Sequence, residues 1–118
     1  MPKVYVMKDG KKISDGNNGL KSFLGNIQEI VSEAMSCDEE STVRAESVGV
    51  EVSNFGKLDI FNKHLEIRVV GIDTPARRKN TVGIINQIKG DIIEHHGKFA
   101  AGFSVWLQLL PGGYTKRL

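Results

Sequence analysis

Met1-Pro2-Lys3-Val4-Tyr5-Val6-Met7-Lys8-Asp9-Gly10-Lys11 is the stretch around which the rest of the chain is organised. Val4 and Val6 alternate with Tyr5, the period of a strand with one buried face, and Lys8 to Lys12 follows as a polar turn. The proline directly behind Met1 places a ring nitrogen at the mouth of the sheet that this strand would join. If Met1 is removed, Pro2 carries a secondary amine. In an apolar pocket such an amine loses the solvation that favours its charged form, so its pKa falls toward neutrality and it suits proton transfer at carbon. Proline at a strand entrance is also tolerated on structural grounds alone, and the dipeptide leaves both readings open.

Downstream, Ser14 to Gly19 is loop chemistry, and Leu20, Phe23, Leu24, Ile27, Ile30, Val31 and Ala34 recur at helical spacing, predicting a helix from Leu20 to Met35. Val43 and Ala45 then give way to Val48, Val50 and Val52, a change of phase that predicts a bulge or a break near Gly49. Leu58 to Phe61 reads as a short strand or an ordered loop, and Leu65, Ile67 and Val69 as a third strand. Thr74 is placed to cap a helix with Pro75 at its first position, and Ile84, Ile85, Ile88 and Ile92 line one face, predicting a single helix from Pro75 to His96. Phe103, Val105, Leu107 and Leu109 alternate as a last strand before Pro111-Gly112-Gly113 turns the tail away.

A shift of 61 residues lays Val4 on Leu65, Val6 on Ile67, Phe23 on Ile84, Ile27 on Ile88 and Val31 on Ile92. The expected fold is therefore α+β: two β-α-β repeats, about 1–61 and 62–118 of a single domain, forming a four-stranded mixed sheet with both helices on one face. Tyr5, Val70, Ile72, Trp106 and Leu110 fall on the opposite phase. An apolar face without helices predicts a homo-oligomer.

With 118 residues the chain suits one domain that buries about two-thirds of its unfolded surface. Sixteen basic and fourteen acidic side chains leave a net charge of +2, which argues against a general nucleic-acid or membrane surface. Cys37 is the only cysteine, so no intramolecular disulfide forms, and no apolar run has the length of a signal peptide or membrane span. A soluble cytoplasmic protein is expected.

A Met-Pro start, a doubled β-α-β unit of about sixty residues and a non-polar open face together resemble the tautomerase superfamily, which includes 4-oxalocrotonate tautomerase and macrophage migration inhibitory factor. Asp9-Gly10-Lys11 is similar to the acid-Gly-Arg turn after the first strand of the short 4-oxalocrotonate tautomerases, with lysine where that pattern prefers arginine. Val43-Arg44, ten intervening residues and Phe55-Gly56 are similar to the Val-Arg and Phe-Gly pairs of the same family. The resemblance implies a homotrimer with a proline-centred pocket between subunits and no metal or organic cofactor. Pro2 would shuttle a proton on a small anionic enol or oxo acid, with Lys11 and Arg44 holding the anion. Phe55 would keep the site dry, and Tyr114 would stand at its rim. The repeat counterpart of Pro2 is Lys63, inside the chain, so one such site per chain is implied.

Arg77, Arg78 and Lys79 fall in the first turn of the second helix, where a solvated charge run and an anion site are both open readings. The first two loosely resemble the paired arginines of decarboxylase and dehalogenase members of the superfamily, so decarboxylation or hydrolytic dehalogenation is the alternative activity, and a non-catalytic trimeric binding protein a third reading. Asp91 and His95 stand one turn apart and are expected to pair at the surface. The histidines form no ligand cluster with metal-site spacing, and Cys37 has no histidine partner assignable from sequence.

Overall fold

Alternation along the first strand determines which side of the sheet is covered. The protein is described by a computed structural model at residues 2–38, 41–56, 64–97 and 102–111. Strand β1 runs Lys3–Lys8, α1 Asn18–Met35, β2 Gly49–Asn54 and β3 Leu65–Ile72. Helices α2 (Pro75–Lys79) and α3 (Thr81–His96) lead to β4 (Phe103–Leu110). The strand order is β2-β1-β3-β4, with β1 parallel to β2, antiparallel to β3, and β3 parallel to β4. This is the mixed sheet that two β-α-β units make when their first strands pair.

In this register Val4 lies opposite Val50 and Val69, and Val6 opposite Val52 and Ile67. Val4, Val6, Ile67 and Val69 are fully buried with Phe23, Ile27 and Val31 of α1 and Ile84, Ile88 and Ile92 of α3. Each such side chain contributes about 1.5–3 kcal/mol by burial. One face of each helix and one phase of each central strand thus make one core. Asn17 starts α1, its side-chain oxygen accepting from the Leu20 N–H at 3.0 Å.

Three expectations are corrected. The predicted helix 75–96 is two helices, because Asn80 leaves helical geometry (φ −108°, ψ 22°) and the Thr81 hydroxyl bonds back to the carbonyls of Arg77 and Arg78 at 3.2 and 3.0 Å. Such back-bonding competes with the helical ladder and bends it. The phase change before Gly49 is neither a bulge nor a junction of two strands. Arg44 leads into a 3-10 turn, Ala45–Ser47, and β2 begins only at Gly49. The open face is mixed rather than apolar: Tyr5 lies opposite Glu51 and Arg68, and Arg68 opposite Trp106. Lys3 reaches Glu51 at 3.4 Å, and Arg68 stands 3.7 Å from the buried Glu66. Trp106, Ile72 and Leu110 are exposed on this side.

The helix-to-strand connections of the two halves differ in length. Thirteen residues, 36 to 48, separate α1 from β2, but only six, 97 to 102, separate α3 from β4. The longer connector forms one wall of the site described next. Leu58 to Phe61 and Lys63 lie outside the described residues. No described helix is long and apolar enough to cross a membrane.

Candidate active site at the Pro2 end of the sheet

Pro2 is buried where β1 begins, and its carbonyl accepts from the Gly49 N–H at 3.0 Å, so the ladder between β1 and β2 fixes it. It borders a cavity of about 350 Å³. The long connector contributes Thr42, Val43, Arg44 and Ser47, the end of β3 contributes Ile72, and the start of α2 contributes Thr74 and Arg77. Pro2, Val43 and Ile72 give the cavity an apolar part, while Arg44 and Arg77 give it positive charge with no carboxylate among the described lining residues. In a cleft with low-dielectric walls such an arrangement concentrates anions.

Local hydrogen bonds position this wall. The Ser36 hydroxyl accepts from the Val43 N–H at 2.9 Å, and the Ser47 and Val48 amides donate to the Arg44 and Ala45 carbonyls at 3.0 and 3.1 Å. Arg44, just before the turn, is exposed and makes no ion pair among the described residues. A guanidinium in that state is available for the two parallel hydrogen bonds that a carboxylate accepts.

The two neighbouring arginines of α2 have opposite fates. Arg77 is only 5% exposed and donates from Nε to the Met35 carbonyl at 3.0 Å, and from its two terminal nitrogens to the carbonyls of Ile72 and Ser41, both at 2.9 Å. Burial pushes its pKa down, while Cys37 and Asp38 act in the other direction. The reading of 77–79 as a solvated run therefore fails at Arg77. Arg78 is solvated and grips Asp73, from Nε at 3.2 Å and a terminal nitrogen at 2.8 Å, and this hydrogen-bonded carboxylate raises its pKa. Thr74 caps α2 as expected, accepting from the Arg77 N–H at 3.2 Å, and its hydroxyl also meets that of the buried Ser41 at 2.7 Å.

Lys11 and Phe55 stand at the opposite end of β1. Lys11 is exposed in the turn, its N–H donating to Asp9, and the Phe55 N–H donates to the Lys8 carbonyl at 2.8 Å. Six strand residues span about 20 Å at ~3.3 Å each, so a single chain does not bring these two residues to Pro2. Tyr114 and Met1 lie outside the described residues. Thr42, Ser47 and Ile72 were not anticipated at the cavity. Thr42 adjoins the Val43-Arg44 pair and Ser47 closes the turn after it, so proximity to that pair was the available signal.

Away from the cavity, His95 has Glu94 rather than Asp91 as its close carboxylate, at 3.8 Å, because both lie at the exposed end of α3. His96 shares a hydrogen bond of 3.0 Å with Asn26 and meets Phe23 edge to face. Cys37 is half-buried beside Asn80, and no group of three or more described His, Cys, Asp or Glu residues could hold a metal ion.

The arrangement of strands and helices recurs in solved structures. A macrophage migration inhibitory factor-like protein from Entamoeba histolytica superposes with a TM-score of 0.60 at 11% identity, over 95% of this chain and 90% of that one. A fused 4-OT, solved as an asymmetric trimer, gives 0.62 at 15% identity, covering 94% and 88%. Malonate semialdehyde decarboxylase gives 0.64 at 13% identity, covering 92% and 84%. This chain has the tautomerase-superfamily fold. No family model matches the sequence, and no curated protein matches it by sequence. The likeness in fold covers 92–95% of this chain, and the identities leave the particular activity to be argued from the site.

Proposed function

We propose that this protein is a cofactor-independent tautomerase that uses the amine of Pro2, freed by removal of Met1, to shift a proton between the enol and keto forms of a small carboxylate-bearing substrate. The observation that carries this reading is the cavity itself. It joins a buried proline at the start of a strand to an exposed Arg44 that makes no ion pair among the described residues, with no carboxylate among the described residues of its lining. Val43 and Ile72 beside Pro2 reduce the solvation of a charged ring nitrogen, which favours the neutral base at working pH. Arg44 binds the substrate carboxylate, and cationic charge beside the carbonyl stabilises the enolate as it develops.

Lys11 and Phe55 enter this proposal only through assembly. Their position at the far end of β1 suits a homotrimer in which one chain's turn completes a neighbour's pocket, and Tyr114 is assigned to the rim of the same pocket. The trimer of the fused 4-OT supports that arrangement.

The test combines intact mass of untagged protein, light scattering and turnover of phenylenolpyruvate. Loss of one methionine, a trimeric mass and measurable ketonisation support the proposal. A retained methionine makes Pro2 an amide without a basic lone pair and moves the reading to a trimeric binding protein. Decarboxylation or hydrolytic dehalogenation is the second reading, favoured by Arg77 as a second guanidinium at the cavity and by the decarboxylase among the fold neighbours. In that case the Pro2 amine titrates near its ordinary value and serves as an acid.

A further inference from the structure

Burying a guanidinium is costly, and Arg77, which makes no ion pair among the described residues, lies next to residues that stay in solvent. Its three acceptors belong to three different segments. Met35 ends α1, Ser41 lies in the connector between α1 and β2, and Ile72 ends β3. The Met35 carbonyl is one of those left without a partner in the last turn of α1, at the negative end of the helix dipole, where a cation is favoured. The Ser41 carbonyl has no such setting. It is held because Arg77 reaches it, and the Ser41 hydroxyl is held in turn by Thr74 at 2.7 Å. Three residues further on stands Arg44.

We propose that Arg77 is a positioning residue: its guanidinium ties the connector 36–48 to the ends of α1 and β3 and thereby holds Arg44 at the Pro2 cavity. The proposal rests on the tautomerase reading for its effect on substrate, but not for the tether. A planar group with donors on three nitrogens can bridge three diverging carbonyls; a lysine ammonium, a compact point charge, cannot span them. Two of the five N–H groups of Arg77 remain unused by these bonds, so direct contact with substrate is the competing role.

Hydrogen exchange read by mass spectrometry tests the tether without any turnover. In Arg77→Met the amides of Val43, Ser47 and Val48 are expected to exchange about tenfold faster while the core of α1 keeps its protection, since loosening is confined to the connector. Ser41→Ala, which breaks only the hydroxyl contact, is expected to act on the same amides more weakly and covers the case in which Arg77→Met does not fold. Unchanged connector exchange in both variants, or uniform acceleration across the molecule, overturns the proposal. With an active enzyme, Arg77→Met raises the apparent KM as Arg44→Ala does, and the double variant is no worse than Arg44→Ala alone, because one residue acts through the other. Arg77→Lys is expected to recover little of the loss. Additive effects of the two arginines on KM show that Arg77 meets the substrate itself and defeat the positioning role. If the parent protein turns over nothing, the tautomerase reading fails while the exchange result still decides the tether.

Discussion

The two ends of β1 each carry a basic side chain near a turn, and they use it in opposite ways. At the far end Lys8 is 1% exposed and donates to the Ile13 carbonyl at 2.9 Å and to Asn54 at 2.6 Å, and it pairs with Asp15 at 2.8 Å. Its three protons have three acceptors, and the result is a fixed turn. At the near end Arg44 is exposed beside a cavity whose described lining holds no carboxylate, and the buried Arg77 behind it carries the structural load. Satisfaction of donors, rather than the presence of charge, separates scaffold from site.

The largest effect is expected where the comparison predicts chemistry. Pro2→Ala should lower turnover of phenylenolpyruvate by about 10²–10⁴-fold, the usual contribution of a positioned general base, with circular dichroism and oligomeric mass unchanged. Undiminished turnover in a processed Pro2→Ala protein would show that the near end of β1 does no proton transfer. At the other end Lys8→Met should cost about 1–3 kcal/mol in urea unfolding, because the Ile13 carbonyl and Asn54 lose their donor while the exposed Asp15 returns to water. Turnover per folded molecule should hold. A Lys8→Met protein that kept its stability but lost activity would reverse the assignment of the two ends.

Arg44→Ala gives a smaller and more selective loss. Removing an exposed guanidinium that meets only the substrate anion should raise the apparent KM about tenfold, equivalent to ~1.4 kcal/mol, with little change in kcat or stability. Rising salt should weaken the parent enzyme's affinity in the same direction, since the attraction is screened. If KM stays constant, Arg44 is only part of the wall.

How much of this was legible follows from what periodicity records. Strands at 65–69 and 103–109 and the helix from Leu20 announced themselves because alternate or helically spaced apolar residues mark buried faces, and the 61-residue shift aligned them. The same continuity hid the break at Asn80: Ile84, Ile85, Ile88 and Ile92 keep helical spacing, while the cause lies in one hydroxyl of Thr81. The open face was misjudged because Lys3, Glu51, Glu66 and Arg68 share the phase of Tyr5 and Trp106 and were not counted with them. Pro2 and Arg44 were assigned to one pocket only through the family resemblance, and both line one cavity. Arg77 was misread from its charged neighbours, because a guanidinium buried against three backbone carbonyls leaves no mark in the spacing of apolar residues.

Acid sharpens the comparison by separating the scaffold from the site. Among the histidines, His96 has its pKa lowered from 6.5, first by burial against the helix layer and then by neighbouring His95. A folded value below the unfolded one means that the unfolded chain binds more protons between the two, so stability falls as pH drops below about 6.5 and levels off under the folded value. The effect is the smallest of the set, because His96 is only half-buried and shares its hydrogen bond with Asn26. Urea midpoints measured from pH 7.5 to 5 should decline in the parent, and the decline should shrink in His96→Gln, which keeps a hydrogen-bonding group but cannot be protonated. His96 lies on the helix layer and lines no part of the Pro2 cavity, so the substitution should leave the pH profile of kcat/KM where it was. A shift of that profile with His96→Gln would couple the helix layer to the chemistry and remove the separation between the scaffold and the near end of β1.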